Sequence, residues 1–189
     1  MDFMHIREAR AADAAAMAKV NIDSWRMTYA GIVPQGYLDS LSYEQLTNNF
    51  QARLSDPNKL WPGWFYYVAE DDQGIIVGMA GGGPSRDGNK LYTGELGVIY
   101  LLKSHQRQGI GRQLMATVAR KLKQQGHKSM LVWVMAANQY KIFYEALGGR
   151  PFAEKEVNIG GANLVEVAYG WRDLGTFIKM LKPAPAPVK

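Results

Sequence analysis

The chain has no cysteine, which excludes disulfides, thiolate metal sites and cysteine nucleophiles together. No apolar run approaches the roughly 18 residues a membrane-spanning helix needs, so no membrane attachment is expected. The opening Met1-Asp2-Phe3-Met4-His5 lacks both the basic region and the apolar segment of a signal peptide. His5, His105 and His127 are scattered, so no metal site is expected either. These absences fit a cytoplasmic protein. One absence is local: from Leu96 through Tyr144 there is no Asp or Glu, while eight Lys and Arg residues fall there. The net charge is +5, so the rest of the chain carries −3. A focused positive potential of that kind suits a polyanionic ligand. Nucleic acid is not expected as the partner, because the basic residues are not interleaved with aromatics.

What is present is ordinary for a single domain. The 189 residues are 47% hydrophobic and 21% charged, enough for one full core. A strand is expected at 3–7, then a helix capped by Asp13 and running through Met17, Val20 and Trp25, broken at Gly31-Ile32-Val33-Pro34. Ser42-Tyr43-Glu44-Gln45 has the form of a capping box opening a helix to about Leu54. Strands at 64–70 and 75–82 flank Asp71-Asp72-Gln73-Gly74 as a hairpin, and 81–89 reads as a glycine-rich loop. A long strand is expected over 91–102, a helix over 109–125 with Leu114, Val118 and Leu122 inward, and a doubly covered strand over 130–135. Asn138 is placed to cap a helix ended by Gly148-Gly149. Strands at 150–158 and 163–171 form a last hairpin around Gly160-Gly161. The domain spans 1–181, and the proline-rich tail 182–189 is expected to be disordered. The sum is a mixed α/β sheet with a central strand-helix-strand-helix segment.

The most informative segment is Gln106-Arg107-Gln108-Gly109-Ile110-Gly111-Arg112, after an apolar strand and at the head of a helix. Its glycines allow close backbone approach, and the first amides of a helix lack partners. Such a helix start takes anions, commonly phosphates. A nucleotide P-loop would need Lys-Ser/Thr after the last glycine, but Arg112 and Gln113 stand there. A dinucleotide fold would need a third glycine and a later acidic residue, and none of the next 33 positions is acidic. Arg107 and Arg112 flank the turn as candidate ligand contacts, whereas Arg120, Lys121 and Lys123 read as a solvated helix face.

The same residues resemble the Gcn5-related N-acetyltransferase (GNAT) superfamily, whose pyrophosphate loop reads Gln/Arg-x-x-Gly-x-Gly/Ala. Residues 106–111 match each fixed position, the strand Glu95 to Leu101 precedes them, and Asn138-x5-Tyr144-Glu145-x-Leu147-Gly148-Gly149 follows. The resemblance covers about Ile6 to Tyr169. It implies an α/β (α+β) fold: one mixed, mostly antiparallel sheet of six to seven strands, splayed central parallel strands, and about four flanking helices. It also implies acetyl-CoA as cosubstrate, in a cleft near Ile99, Tyr100, Leu101 and 132–135. Amides of Gln108, Gly109, Ile110, Gly111 and Arg112, with Gln106 and Arg107, would hold the pyrophosphate, and Asn138 the pantetheine arm. Lys103, where many members carry proline, and Arg107, where glycine is common, depart from the pattern. A homodimer is compatible with such folds, although no residue pattern here calls for one.

Acetyl transfer needs a neutral amine, a polarised thioester carbonyl and a proton for the departing sulfur. By the resemblance Tyr144 occupies the general-acid position. By pattern alone it belongs to an apolar stripe with Tyr140, Phe143 and Leu147. Glu95 is the candidate base, sharing a side with Ile99 by period two unless a bulge near Gly97 shifts the register. A substrate-binding anion or a salt bridge is the alternative for it. Ser24-Trp25-Arg26-x-Thr28-Tyr29-x-Gly31-Ile32-x-Pro34 is similar to a bacterial subgroup, some members of which acetylate polyamines. Trp25 and Tyr29 could wall a pocket for a small cationic amine, or simply pack helix on sheet. The expected function is N-acetylation of a small amine. Acetylation of a protein or peptide, and a non-catalytic acetyl-CoA sensor, are the alternatives.

Overall fold

The computed structural model describes residues 4–181; Phe3 and the tail 182–189, named above, lie outside the described residues. The chain runs β1 (His5–Glu8), α1 (Ala14–Thr28), α2 (Gln35–Ser40), α3 (Tyr43–Ser55), β2 (Phe65–Glu70), β3 (Ile76–Pro84), β4 (Gly94–Leu101), α4 (Ile110–Gln124), β5 (Met130–Met135), α5 (Lys141–Ala146), β6 (Arg150–Ile159), β7 (Ala162–Trp171) and α6 (Leu174–Leu181). Seven strands form one sheet in the order β1-β2-β3-β4-β5-β7-β6. Every neighbouring pair is antiparallel except β4 and β5, joined by the α4 crossover. No helix among the described residues is long and apolar enough to cross a membrane.

Each face of the sheet is covered by helices because each has an apolar set to bury. On one side α4 inserts Leu114, Val118 and Leu122, all fully buried, beside α6; burying each such side chain is worth about 1.5–3 kcal/mol. On the other side α1 and α3 pack Met17, Val20 and Phe50 against Val68 and Met79. Ser42 caps α3 by accepting from the Gln45 amide at 3.2 Å. Asp13 does not cap α1 in the expected way: its carboxylate reaches back to the Arg10 amide at 2.7 Å and forks onto the Arg7 guanidinium at 2.7 and 2.9 Å. The Arg7 hydrogen bonds hold that carboxyl below the usual carboxylate range.

Three features differ from the sequence reading. The strand expected over 75–82 runs on through 83–84, and the expected glycine-rich loop at 81–89 begins only after Pro84. Gly81 and Gly83 serve contact rather than turning: a Cβ on Gly81 would lie 2.4 Å from the Tyr66 ring and one on Gly83 2.4 Å from Trp64. Helix α2 was not anticipated, nor was α6. The signal for α6 was present, since Asp173 accepts from the amides of Gly175 and Thr176 as an N-cap does, and Leu174, Phe177, Ile178 and Leu181 form an apolar stripe.

The decisive feature for the site is how little β4 and β5 touch. They pair only at Gly94↔Met130 and Glu95↔Leu131, and beyond that point the strands diverge. A bulge contributes, because β3 pairs Gly81 with Val98 and Gly82 with Leu96, leaving Gly97 as the extra residue. Only glycine fits there: a Cβ would lie 2.2 Å from the Trp64 ring.

Candidate active site

The divergence of β4 and β5 opens a cavity of about 570 Å³, within the range of small-molecule sites. Its wall includes the β4 stretch 97–101, β5 residues 132–134, part of the turn before α4, one face of α5 and the last turns of α1. Beyond Glu95 the β5-facing edge of β4 has no strand partner, so its peptide groups are free to bind an extended ligand.

Where the cavity meets the turn before α4, the turn's shape is set by its backbone. Gln106 Nε2 donates to the Leu101 carbonyl at 3.1 Å, tying the turn to the end of β4. Arg107 and Gly109 both adopt left-handed conformations, φ 64° and 82°. That is costly for arginine and free for glycine. The first helical bond of α4 is from Gln113 to the Gly109 carbonyl, 3.1 Å. The amides of 108–112 donate to no backbone acceptor among the described residues, so five N–H groups at a helix start are available to an anion.

The structure brings most of the sequence-nominated residues together. Tyr29, Ile99, Tyr100, Leu101, Gln106, Arg107, Gly109, Gly111, Arg112, Asn138 and Tyr144 all line the cavity. Gln108 and Ile110 do not line it: the Gln108 side chain donates to the Ser104 carbonyl and the Ile110 side chain is buried in the core. The Arg112 guanidinium is already engaged, donating to the Met180 and Leu181 carbonyls at 2.7 and 3.4 Å and so binding the last turn of α6. Trp25 stands behind the wall, its indole donating to Tyr100 Oη at 2.8 Å and its ring centroid 4.6 Å from that of Tyr29. Asn138 starts the turn into α5, accepting from the Tyr140 amide at 2.9 Å, while its Nδ2 lies 3.5 Å from Tyr29 Oη.

Tyr144 lies on α5 with its ring against Phe143, Tyr169 and Trp171, so it is both part of the apolar stripe and part of the cavity wall. Its hydroxyl has no hydrogen-bond partner among the described residues. Burial, then the neighbouring Tyr29 and Tyr100, push that phenol well above its ordinary range. Burial does the same to Tyr100 and Tyr29. All three therefore present O–H groups, not phenolates.

Glu95 departs from expectation. The bulge at Gly97 breaks the period of two, so Leu96 joins Ile99 in the α4-side core while Val98 and Tyr100 pack on the α1 side. Glu95 therefore does not share a side with Ile99. Its carboxylate is 1% exposed, accepts from the Arg86 amide at 2.9 Å and from the Arg86 guanidinium, and does not line the cavity. No Asp or Glu lines the cavity among the described residues. Sequence reasoning gave no individual role to Ser24, the first residue of the quoted amino-terminal motif, or to Trp133, inside the expected cleft stretch 132–135; both are on the cavity wall.

A family model described as the acetyltransferase (GNAT) family matches residues 24–148, which run from the end of α1 through α5 and include every residue lining the cavity. The chain belongs to the GNAT acetyltransferase family. Among curated proteins it is 41% identical over 176 residues to the uncharacterized N-acetyltransferase YuaI of Bacillus subtilis (strain 168), covering 93% of this chain and 97% of that one. Solved GNAT structures share its fold. The PaiA N-acetyltransferase of Thermoplasma acidophilum, in complex with coenzyme A, matches with a TM-score of 0.62 and 20% identity, over 87% of this chain and 98% of that one. A GNAT superfamily phosphinothricin acetyltransferase from Sinorhizobium meliloti, in complex with acetyl-CoA, matches with a TM-score of 0.67 and 20% identity, over 90% and 88% of the two chains.

Proposed function

We propose that this GNAT protein transfers the acetyl group of acetyl-CoA directly to the primary amine of a small cationic acceptor. The observation that carries the reading is the row of five free amides at 108–112, set where the unpaired edge of β4 reaches the head of α4. A pyrophosphate fits those amides, and an extended amide-bearing arm fits the free edge at Ile99 and Leu101, with Asn138 alongside. Acetyl-CoA supplies the activated thioester. The chain's residues do the rest: they align the ligand, exclude water from the cleft and hold a proton on Tyr144 Oη for the departing sulfur. The raised Tyr144 pKa keeps the phenol protonated, so that it meets the departing sulfur as an O–H donor.

Because no carboxylate lines the cavity, we assign loss of the amine's proton to water at the mouth. Glu95 is then a positioning residue, fixing Arg86, whose guanidinium stacks 5.0 Å from the Trp64 ring centroid. A small acceptor is favoured over a peptide by the β6–β7 hairpin. Gly160 at its tip sits so close to Tyr37 of α2 that a Cβ would fall 2.6 Å from the tyrosine Cβ. This contact ties the hairpin to α2, and we take it to narrow the room left for an acceptor between them.

The test is thiol release from acetyl-CoA with purified protein and a panel of polyamines, aminoglycosides, amino acids and peptides. Turnover with a polyamine and none with peptides is the expected result. Turnover confined to peptides would overturn the small-acceptor reading, and tight acetyl-CoA binding without turnover of any amine would replace the enzyme with a sensor.

A further inference from the structure

On the α1 side of the sheet, Trp133 forms part of the cavity wall, and its indole donates to Asp87 Oδ2 at 2.9 Å. The Lys155 ammonium sits over the same ring, 4.0 Å from its centroid. Two carboxylates flank that ammonium, Asp87 at 3.7 Å and Glu166 at 3.6 Å. The strand register assembles the group. Glu166 of β7 stands between Met135 of β5 and Lys155 of β6, and Trp133 is two residues before Met135, on the same side of the sheet.

An indole face with two carboxylates at its edge is the chemistry that recognises a primary ammonium. Here one already lies there, and it is loosely held. Contacts of 3.6 and 3.7 Å are too long for hydrogen bonds, and a Lys155 side chain 38% exposed leaves the attraction screened by solvent. Elsewhere on the same wall Ser24 Oγ is buried without a hydrogen-bond partner, a polar atom that a ligand nitrogen would satisfy. Asp87, Lys155 and Glu166 do not line the cavity themselves and adjoin it through Trp133.

We propose that Trp133, Asp87 and Glu166 form a subsite for a second ammonium on the acceptor, and that Lys155 is its internal surrogate, displaced when a diamine binds. The proposal rests on the acetyl-transfer reading and narrows it to amines that carry another cation. A monoamine leaves Lys155 in place and gains nothing at the subsite. An amino acid would bring a carboxylate toward Glu166 and be disfavoured.

The experiment uses putrescine and n-butylamine as probes, by calorimetry on the CoA-saturated protein and by the ratio of their kcat/KM values. Wild-type protein is expected to prefer putrescine by at least about tenfold, roughly the effect of one charge-assisted contact. Glu166→Gln should collapse that preference toward unity, with acetyl-CoA affinity and thermal unfolding as controls for folding. Lys155→Met should tighten putrescine binding about threefold or more by removing the competitor. No preference for putrescine in the wild type, an unchanged preference in Glu166→Gln, or weaker putrescine binding in Lys155→Met would overturn the proposal. Putrescine binding that follows this pattern without any thiol release would instead remove the acetyl-transfer reading and leave the subsite standing.

Discussion

Replacing Gly109 with alanine separates backbone strain from ligand contact, because the same chain carries a matched control. Gly109 has φ 82° and an added Cβ would meet no atom within 4 Å. Gly126, at the opposite end of α4, has φ 92° and equally open space. Alanine in the left-handed region costs about 1–2 kcal/mol, offset by about 0.4–1 kcal/mol from a less flexible unfolded chain. Each variant should therefore lose about 1 kcal/mol, a fall in Tm of about 2–4 °C for a chain of this size. Only Gly109 lines the cavity, so only its methyl group stands before the free amides of 108–112. Displacing one charge-assisted hydrogen bond, worth about 1.5–3 kcal/mol, weakens acetyl-CoA binding about 10- to 100-fold. Differential scanning calorimetry would give the stability change and titration calorimetry the affinity. If Gly109→Ala and Gly126→Ala lost the same stability and both bound acetyl-CoA as tightly as wild type, the turn would not be the pyrophosphate site.

Tyr144→Phe should fold normally, since the hydroxyl it loses has no protein partner among the described residues, and should lower kcat about 100-fold with acetyl-CoA affinity unchanged; wild-type turnover would sink the general-acid assignment. Asp13→Asn should cost about 2 kcal/mol by breaking the fork with Arg7. Because the folded-state pKa of Asp13 is depressed, that stabilisation is fully present above about pH 4–5 and is lost as pH falls through the folded value. Urea unfolding from pH 6 to 2 should show the wild type converging on Asp13→Asn, and a constant difference would refute the linkage. Arg112→Ala should release the last turn of α6, lowering Tm by a few degrees while acetyl-CoA affinity stays within about threefold. A loss of affinity without a loss of stability would return the guanidinium to the phosphate.

Local signals carried far in this chain. Ser42 and Gln45, the apolar spacing of α4 and the Gly160-Gly161 hairpin were legible because each depends on neighbours in sequence. The acid-free stretch and the glycine turn pointed to a phosphate ligand on the same grounds, since helix-start amides lack partners wherever a helix begins. Glu95 was not legible, because its orientation depends on a single unpaired residue at Gly97 and on Trp64, which packs against that glycine from another strand. Neither was the engagement of Arg112 by α6, a contact across 68 residues.

By itself the sequence determined most of the elements, the basic surround and the glycine turn at a helix start, because periodicity, capping and helix-start amides are short-range physics. Only the tertiary structure decided that β4 and β5 part after two residue pairs, that Glu95 belongs to Arg86, and that Trp133, Asp87, Lys155 and Glu166 meet. Those outcomes come from strand register and close packing between segments far apart in the chain, where shifting one residue turns a side chain to the opposite face.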